Sequence, residues 1–140
     1  MRVLVPVDGS TPSETALDRA IELFDDAEII ALYVMDPVDG STAWGPGSDD
    51  EWLSSAEQRS ETVLESAVET AEAAGREIRT ESIVGRPAHA IVEFVEEHDV
   101  DHVVIGSHGR EGLSRVLLGS VAETVVRRAP VPVTVARPSE

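Results

Sequence analysis

The chain has 140 residues, 27 acidic and 11 basic, with a formal net charge of −16. All basic residues are arginine, and lysine and cysteine are both absent. Those absences exclude a Walker A loop, lysine-dependent catalysis, disulfides and zinc–thiolate clusters, while the acidic excess opposes nucleic-acid and anionic-membrane partners.

The length predicts one domain, residues 1–140, and the 41% hydrophobic content is too high for a disordered acidic chain. No window has the ~18 apolar residues of a membrane span, and Met1–Asp8 lacks a signal-peptide layout. A soluble, cytoplasmic chain is therefore expected.

The first run, Arg2–Val7, is nearly all apolar, as in a strand buried on both faces. It ends at Asp8-Gly9-Ser10. Thr11 with Glu14 reads as a capping box, with Pro12 at the first helical position. Ala16, Leu17, Ala20, Ile21 and Phe24 then recur at helical spacing. A second buried strand follows at Ile29–Val34.

Residues Met35–Asp50 form a long segment rich in Gly, Pro and Asp. Loops of that length are uncommon in compact domains and are often functional. A helix is predicted over about Glu51–Ala74, with Leu53, Ala56, Val63, Leu64, Ala67, Val68 and Ala71 as its inner stripe. Trp52 reads as an anchor for this helix. Glu57, Glu61, Glu65 and Glu69 lie four apart on it. Like charges at that spacing destabilise a helix in dilute buffer, and concentrated salt screens them. The arrangement suits a halophilic setting, and the row itself reads as a solvated face.

Glu77–Val84 alternates like an edge strand, with Ile78, Thr80, Ser82 and Val84 on one side. Gly85-Arg86-Pro87 opens a helix whose inner residues are predicted as Ala88, Ile91, Val92 and Val95. Val103–Ile105 is a short central strand. A Gly-rich loop runs from Gly106 to Arg115. Ser120 with Glu123 reads as a second capping box. The last strand, Val131–Val135, carries Pro132, which cannot donate to a ladder and so belongs at a sheet edge.

Strict alternation of strands and helices predicts a parallel α/β sheet with helices on both faces. Ligands bind such sheets at the carboxyl ends of the strands. The polar loops beginning at Asp8 and Gly106 sit at two such ends, on strands expected to be neighbours. Between them lie the parts of a phosphate cradle: glycine backbone, a helix start at Ser120, and the charges of Arg110 and Arg115. His98 and His102 are separated by a loop and do not suit a metal site. No strained Gly-x-Ser-x-Gly elbow is present, and no catalytic residue is assigned.

Gly106, two residues, Gly109, nine residues, then Gly119-Ser120 resembles the ATP-binding signature of the universal stress protein family. Val5-Pro6-Val7-Asp8-Gly9-Ser10 is similar to that family's first strand and loop. The resemblance spans essentially the whole chain, but Met35–Asp50 cannot be matched residue by residue. It implies a Rossmann-like five-stranded sheet in the order 3-2-1-4-5 and a homodimer joined through the last strands. It implies nucleotide contacts from Pro6, Val7, Asp8 and the Val34 backbone on the adenosine side, with Gly106 and His108 near ribose and α-phosphate. Gly109, Gly119, Ser120 and Val121 would hold the phosphates, with Arg110 nearby. The implied ligand is ATP, or ADP or AMP, with Mg²⁺ or Mn²⁺ bridging the phosphates. The implied function is nucleotide-dependent stress response or signalling. The alternatives are a nucleotide-independent interaction module and a slow ATPase.

Overall fold

Apolar runs and amphipathic stretches take turns along the chain, and strands and helices follow them. A computed structural model describes residues 1–37, 48–107 and 118–137. The strands are β1 (Arg2–Pro6), β2 (Glu28–Met35), β3 (Arg79–Val84), β4 (His102–Gly106) and β5 (Val133–Ala136). The helices between them are α1 (Thr11–Leu23), α2 (Ser48–Ala73), α3 (Pro87–Glu97) and α4 (Ser120–Arg128).

The five strands form one sheet in the order β3-β2-β1-β4-β5, and every neighbouring pair is parallel. The order is the one the resemblance implied. β3 and β5 are the edges, and β1 lies beside β4. Pro132 precedes β5 and uses only its carbonyl, which accepts from the Val103 N–H at 3.0 Å.

Each sheet face buries its own core. On one face Val3, Val5, Ile29, Ala31 and Val104 pack against Ala16, Leu17 and Ala20 of α1 and Ala67 of α2. On the other, Leu4, Ile30, Leu32, Val103 and Ile105 pack against α3 and α4. The central strands are fully buried because both faces are covered, which is why their sequences are apolar without alternation.

Helix details differ from the expectations in four places. The α1 cap is Ser10, not Thr11: its side chain accepts from the Ser13 N–H, so Thr11 and Glu14 make no capping box. At α4 the cap is Gly119, which has no side chain to bond with, and Ser120 is already helical; the expected Ser120–Glu123 box does not form. In α3 the buried residues are Ala90, Ile91, Phe94 and Val95; Ala88 packs half-buried against the same core as expected, while Phe94 takes the inner place expected of Val92. Helix α2 buries Ala56, Ala67 and Ala71, but Leu53 is exposed. The Glu57, Glu61, Glu65 and Glu69 row faces solvent as expected. Trp52 packs on Tyr33, Met35 and Ala56, the anchoring role expected of it.

Candidate functional site

Successive N–H groups of a strand point to alternate sides. The Val7 N–H donates to the Leu32 carbonyl of the β2 side at 2.9 Å. The donor that Pro6 lacks is therefore the one that would have faced β4. The β1–β2 register runs on to Pro6 opposite Leu32, while the β1–β4 register covers only Val3–His102 and Leu4–Val103. The two central strands thus part at their carboxyl ends, where a parallel sheet of this kind offers a crevice.

A cavity of about 410 Å³ occupies that crevice. Pro6, Val7 and Asp8 line it from β1, Val34 from β2, and Gly106 from β4. Gly119, Ser120 and Val121 line it from the start of α4. Eight of the residues expected at a site are thereby brought together. The other three, His108, Gly109 and Arg110, lie outside the described residues, as does Arg115.

The loop after β1 is fixed by its own hydrogen bonds. Asp8 Oδ1 accepts from the Ser10 N–H at 2.9 Å and from the Ser10 hydroxyl. Ser10 Oγ in turn accepts from the Ser13 N–H at 3.3 Å. Ser13 Oγ accepts from the Asp8 N–H at 3.2 Å and donates to the Ser10 carbonyl at 3.1 Å. Gly9 turns the chain with φ +84°, a conformation that favours glycine. The Asp8 carboxylate is therefore held half-buried on the cleft floor.

Opposite it, the Gly119 N–H donates to the Ser107 carbonyl at 2.7 Å and the Glu123 N–H to the Gly119 carbonyl at 2.9 Å. The N–H groups of Ser120, Val121 and Ala122 are the first-turn donors with no intrahelical acceptor. All three residues line the cleft. Donors without an intrahelical acceptor and the positive end of the helix dipole together favour an anion there. Leu32, Val34, Pro87 and Ile91 give the cleft an apolar wall.

Eleven cleft residues escaped the sequence reading as site residues, Ser13, Tyr33, Pro87 and Arg59 among them. Ser13 and Tyr33 are placed by tertiary packing, and Pro87 was visible only as a helix start. Arg59 was hidden in the middle of α2. A signal for it existed: it is the sole basic residue between Ser48 and Ala73. Burial lowers the His102 pKa from its ordinary value. His102 sits at the opposite end of β4, bonded to Thr134 Oγ1 at 2.7 Å, and has no part in the cleft.

A family model described as the universal stress protein family matches residues 1–137. The chain belongs to the universal stress protein family. Universal stress protein MJ0531 of Methanocaldococcus jannaschii is 38% identical over 141 residues, covering 97% of this chain and 81% of that one. The universal stress protein UspA from Lactobacillus plantarum superposes with a TM-score of 0.85 at 27% identity, covering 98% of this chain and 97% of that one. A universal stress protein in complex with cAMP superposes with a TM-score of 0.73 at 31% identity, covering 99% and 98%.

Proposed function

We propose that this chain, as one domain over residues 1–140, binds an adenine nucleotide in the cleft and acts in the cytoplasm as a nucleotide-dependent stress-response or signalling protein. One observation carries the reading: three helix N–H groups with no intrahelical acceptor and a fixed carboxylate line one cavity that also has an apolar wall. An adenine ring suits Val34, Ile91 and Pro87. Asp8 is placed to accept from ribose hydroxyls. Gly119, Ser120 and Val121 would take the phosphates, joined by His108, Gly109 and Arg110. A relative in complex with cAMP supports an adenine nucleotide as the ligand class; ATP is the form we favour, with ADP or AMP as alternatives.

A divalent cation, Mg²⁺ or Mn²⁺, would accompany the phosphates. Among the described residues no three His, Asp or Glu side chains gather as metal ligands. Phosphate and water oxygens would then supply most of its coordination. No helix among the described residues is long and apolar enough to cross a membrane.

The edge position of β5 supports a second element of the reading, a homodimer joined through Val131–Val135. If nucleotide plays no part, that edge would be the working surface of an interaction module.

The test is mass spectrometry of small molecules released from denatured purified protein, followed by titration with Mg·ATP. Stoichiometric ATP, ADP or AMP is expected. Gly119→Ala with Ser120→Ala should abolish binding with the fold intact. An empty protein that also ignores Mg·ATP overturns the nucleotide reading in favour of the interaction module.

A further inference from the structure

Arg59 reaches the cleft from α2, which covers the sheet face opposite α4. Helix α2 runs antiparallel to the strands, as a crossover helix must. Its earlier residues therefore lie further out beyond the strands' carboxyl ends. Val63 is the fixed point: a Cβ on Gly9 would lie 3.2 Å from its Cγ2. Arg59 is one turn further out, over the Asp8 loop, and it lines the cleft wall.

Its situation is unusual in this chain. Between Ser48 and Ala73 there are eight acidic residues and this one basic residue. Yet the positions three and four away are Ser55, Ala56, Thr62 and Val63, so its own helix offers no carboxylate at pairing distance. Arg2, Arg19 and Arg79 are ion-paired, and Arg76 is bonded to three carbonyls. Among the described residues the Arg59 guanidinium has no such partner. It is also the only cation among the described lining residues, where the other charges are the carboxylates of Asp8 and Asp36.

We propose that Arg59 is a phosphate-reading residue of this cleft. Its guanidinium pairs with a phosphate of the bound adenine nucleotide from the α2 side, across from the α4 amides. It thereby sets the preference for phosphorylated over unphosphorylated adenosine. The inference rests on the nucleotide reading above and adds to it a residue outside the glycine loop. A planar, permanently charged fork matches phosphate geometry in a way an ammonium does not. It also supplies local positive charge in a chain whose overall field repels anions.

The experiment is isothermal titration of wild type, Arg59→Gln and Arg59→Lys with ATP, AMP and adenosine. Circular dichroism melts of each variant serve as the folding control; Arg59 is exposed, so the melts should coincide. Arg59→Gln should lose about tenfold to a hundredfold in affinity for ATP and AMP, the range for a charge-assisted bond. Adenosine affinity should hold, and Arg59→Lys should recover part of the loss. Equal weakening for all three ligands, or none for any, overturns the role given to Arg59 while leaving the nucleotide site standing. A wild type that binds none of the three removes the nucleotide reading and this inference with it.

Discussion

A Cβ placed on Gly106 would lie 2.7 Å from both the carbonyl carbon and the oxygen of Pro12. The end of β4 and the start of α1 therefore touch backbone to backbone, and only a glycine permits it. The resemblance casts Gly106 as a nucleotide-loop glycine; the packing gives it a second, independent reason to be one. Gly106→Ala must push α1 away from β4, and overpacking of this kind costs about 1–3 kcal/mol. We expect its denaturant midpoint to fall with an unchanged slope, in the absence of any nucleotide. A midpoint equal to wild type would mean that the contact yields freely. Pro6 works at the same scale. One missing donor on the β4 side lets two central strands part, and the crevice begins there. Together the two residues shape the cleft from below, before any side chain faces a ligand.

At the scale of elements, the ends matter more than the middles. Helix α1 has no basic residue in its last turn, so its carbonyls need partners from elsewhere. Arg76, just past α2, supplies them: its guanidinium donates to Ile21 O at 3.1 Å and to Phe24 O and Ala27 O at 3.0 Å. The contact ties the exit of α2 to the turn between α1 and β2. Arg76→Ala should lower stability by about 1.5–3 kcal/mol, the range for hydrogen bonds from a charged group. Arg76→Lys should recover little, because one ammonium cannot span three acceptors held by a planar fork. Thermal melts of both variants would check this.

Such long-range caps also mark where the sequence stops being readable. Strand and helix identity followed from apolar runs, 3.6-residue spacing and alternation, which are local; the strand order was implied by the family resemblance. The meeting of Asp8 with Ser120 followed from the crossover rule and the position of polar loops at strand ends. The capping boxes at Thr11 and Ser120 misled because Ser10 and Gly119 fit the cap geometry one residue earlier, and a one-residue offset leaves the local pattern equally plausible. The roles of Arg59 and Arg76 were missed for another reason. Their partners or surroundings lie on other elements, and no periodicity encodes which arginine of an acidic helix faces a cleft and which closes a neighbour's end.

At the scale of the molecule the dominant quantity is the net charge of −16. Self-repulsion of this size opposes the compact state, and its reach depends on salt. The Debye length is about 10 Å at 0.1 M and about 3 Å at 1 M. The exposed row Glu57, Glu61, Glu65 and Glu69 makes three successive i,i+4 pairs of like charge, each worth a few tenths of a kcal/mol, so roughly 1 kcal/mol in all. We expect the thermal midpoint to rise steeply between 0.1 M and 1 M potassium chloride. A chain with all four glutamates replaced by glutamine should start about 1 kcal/mol more stable at low salt and gain correspondingly less from added chloride. Parallel salt curves for the two chains would place the repulsion elsewhere on the surface. A flat curve for wild type would show that the acidic surface is no adaptation to high salt, because the fold would then be as secure without the screening as with it.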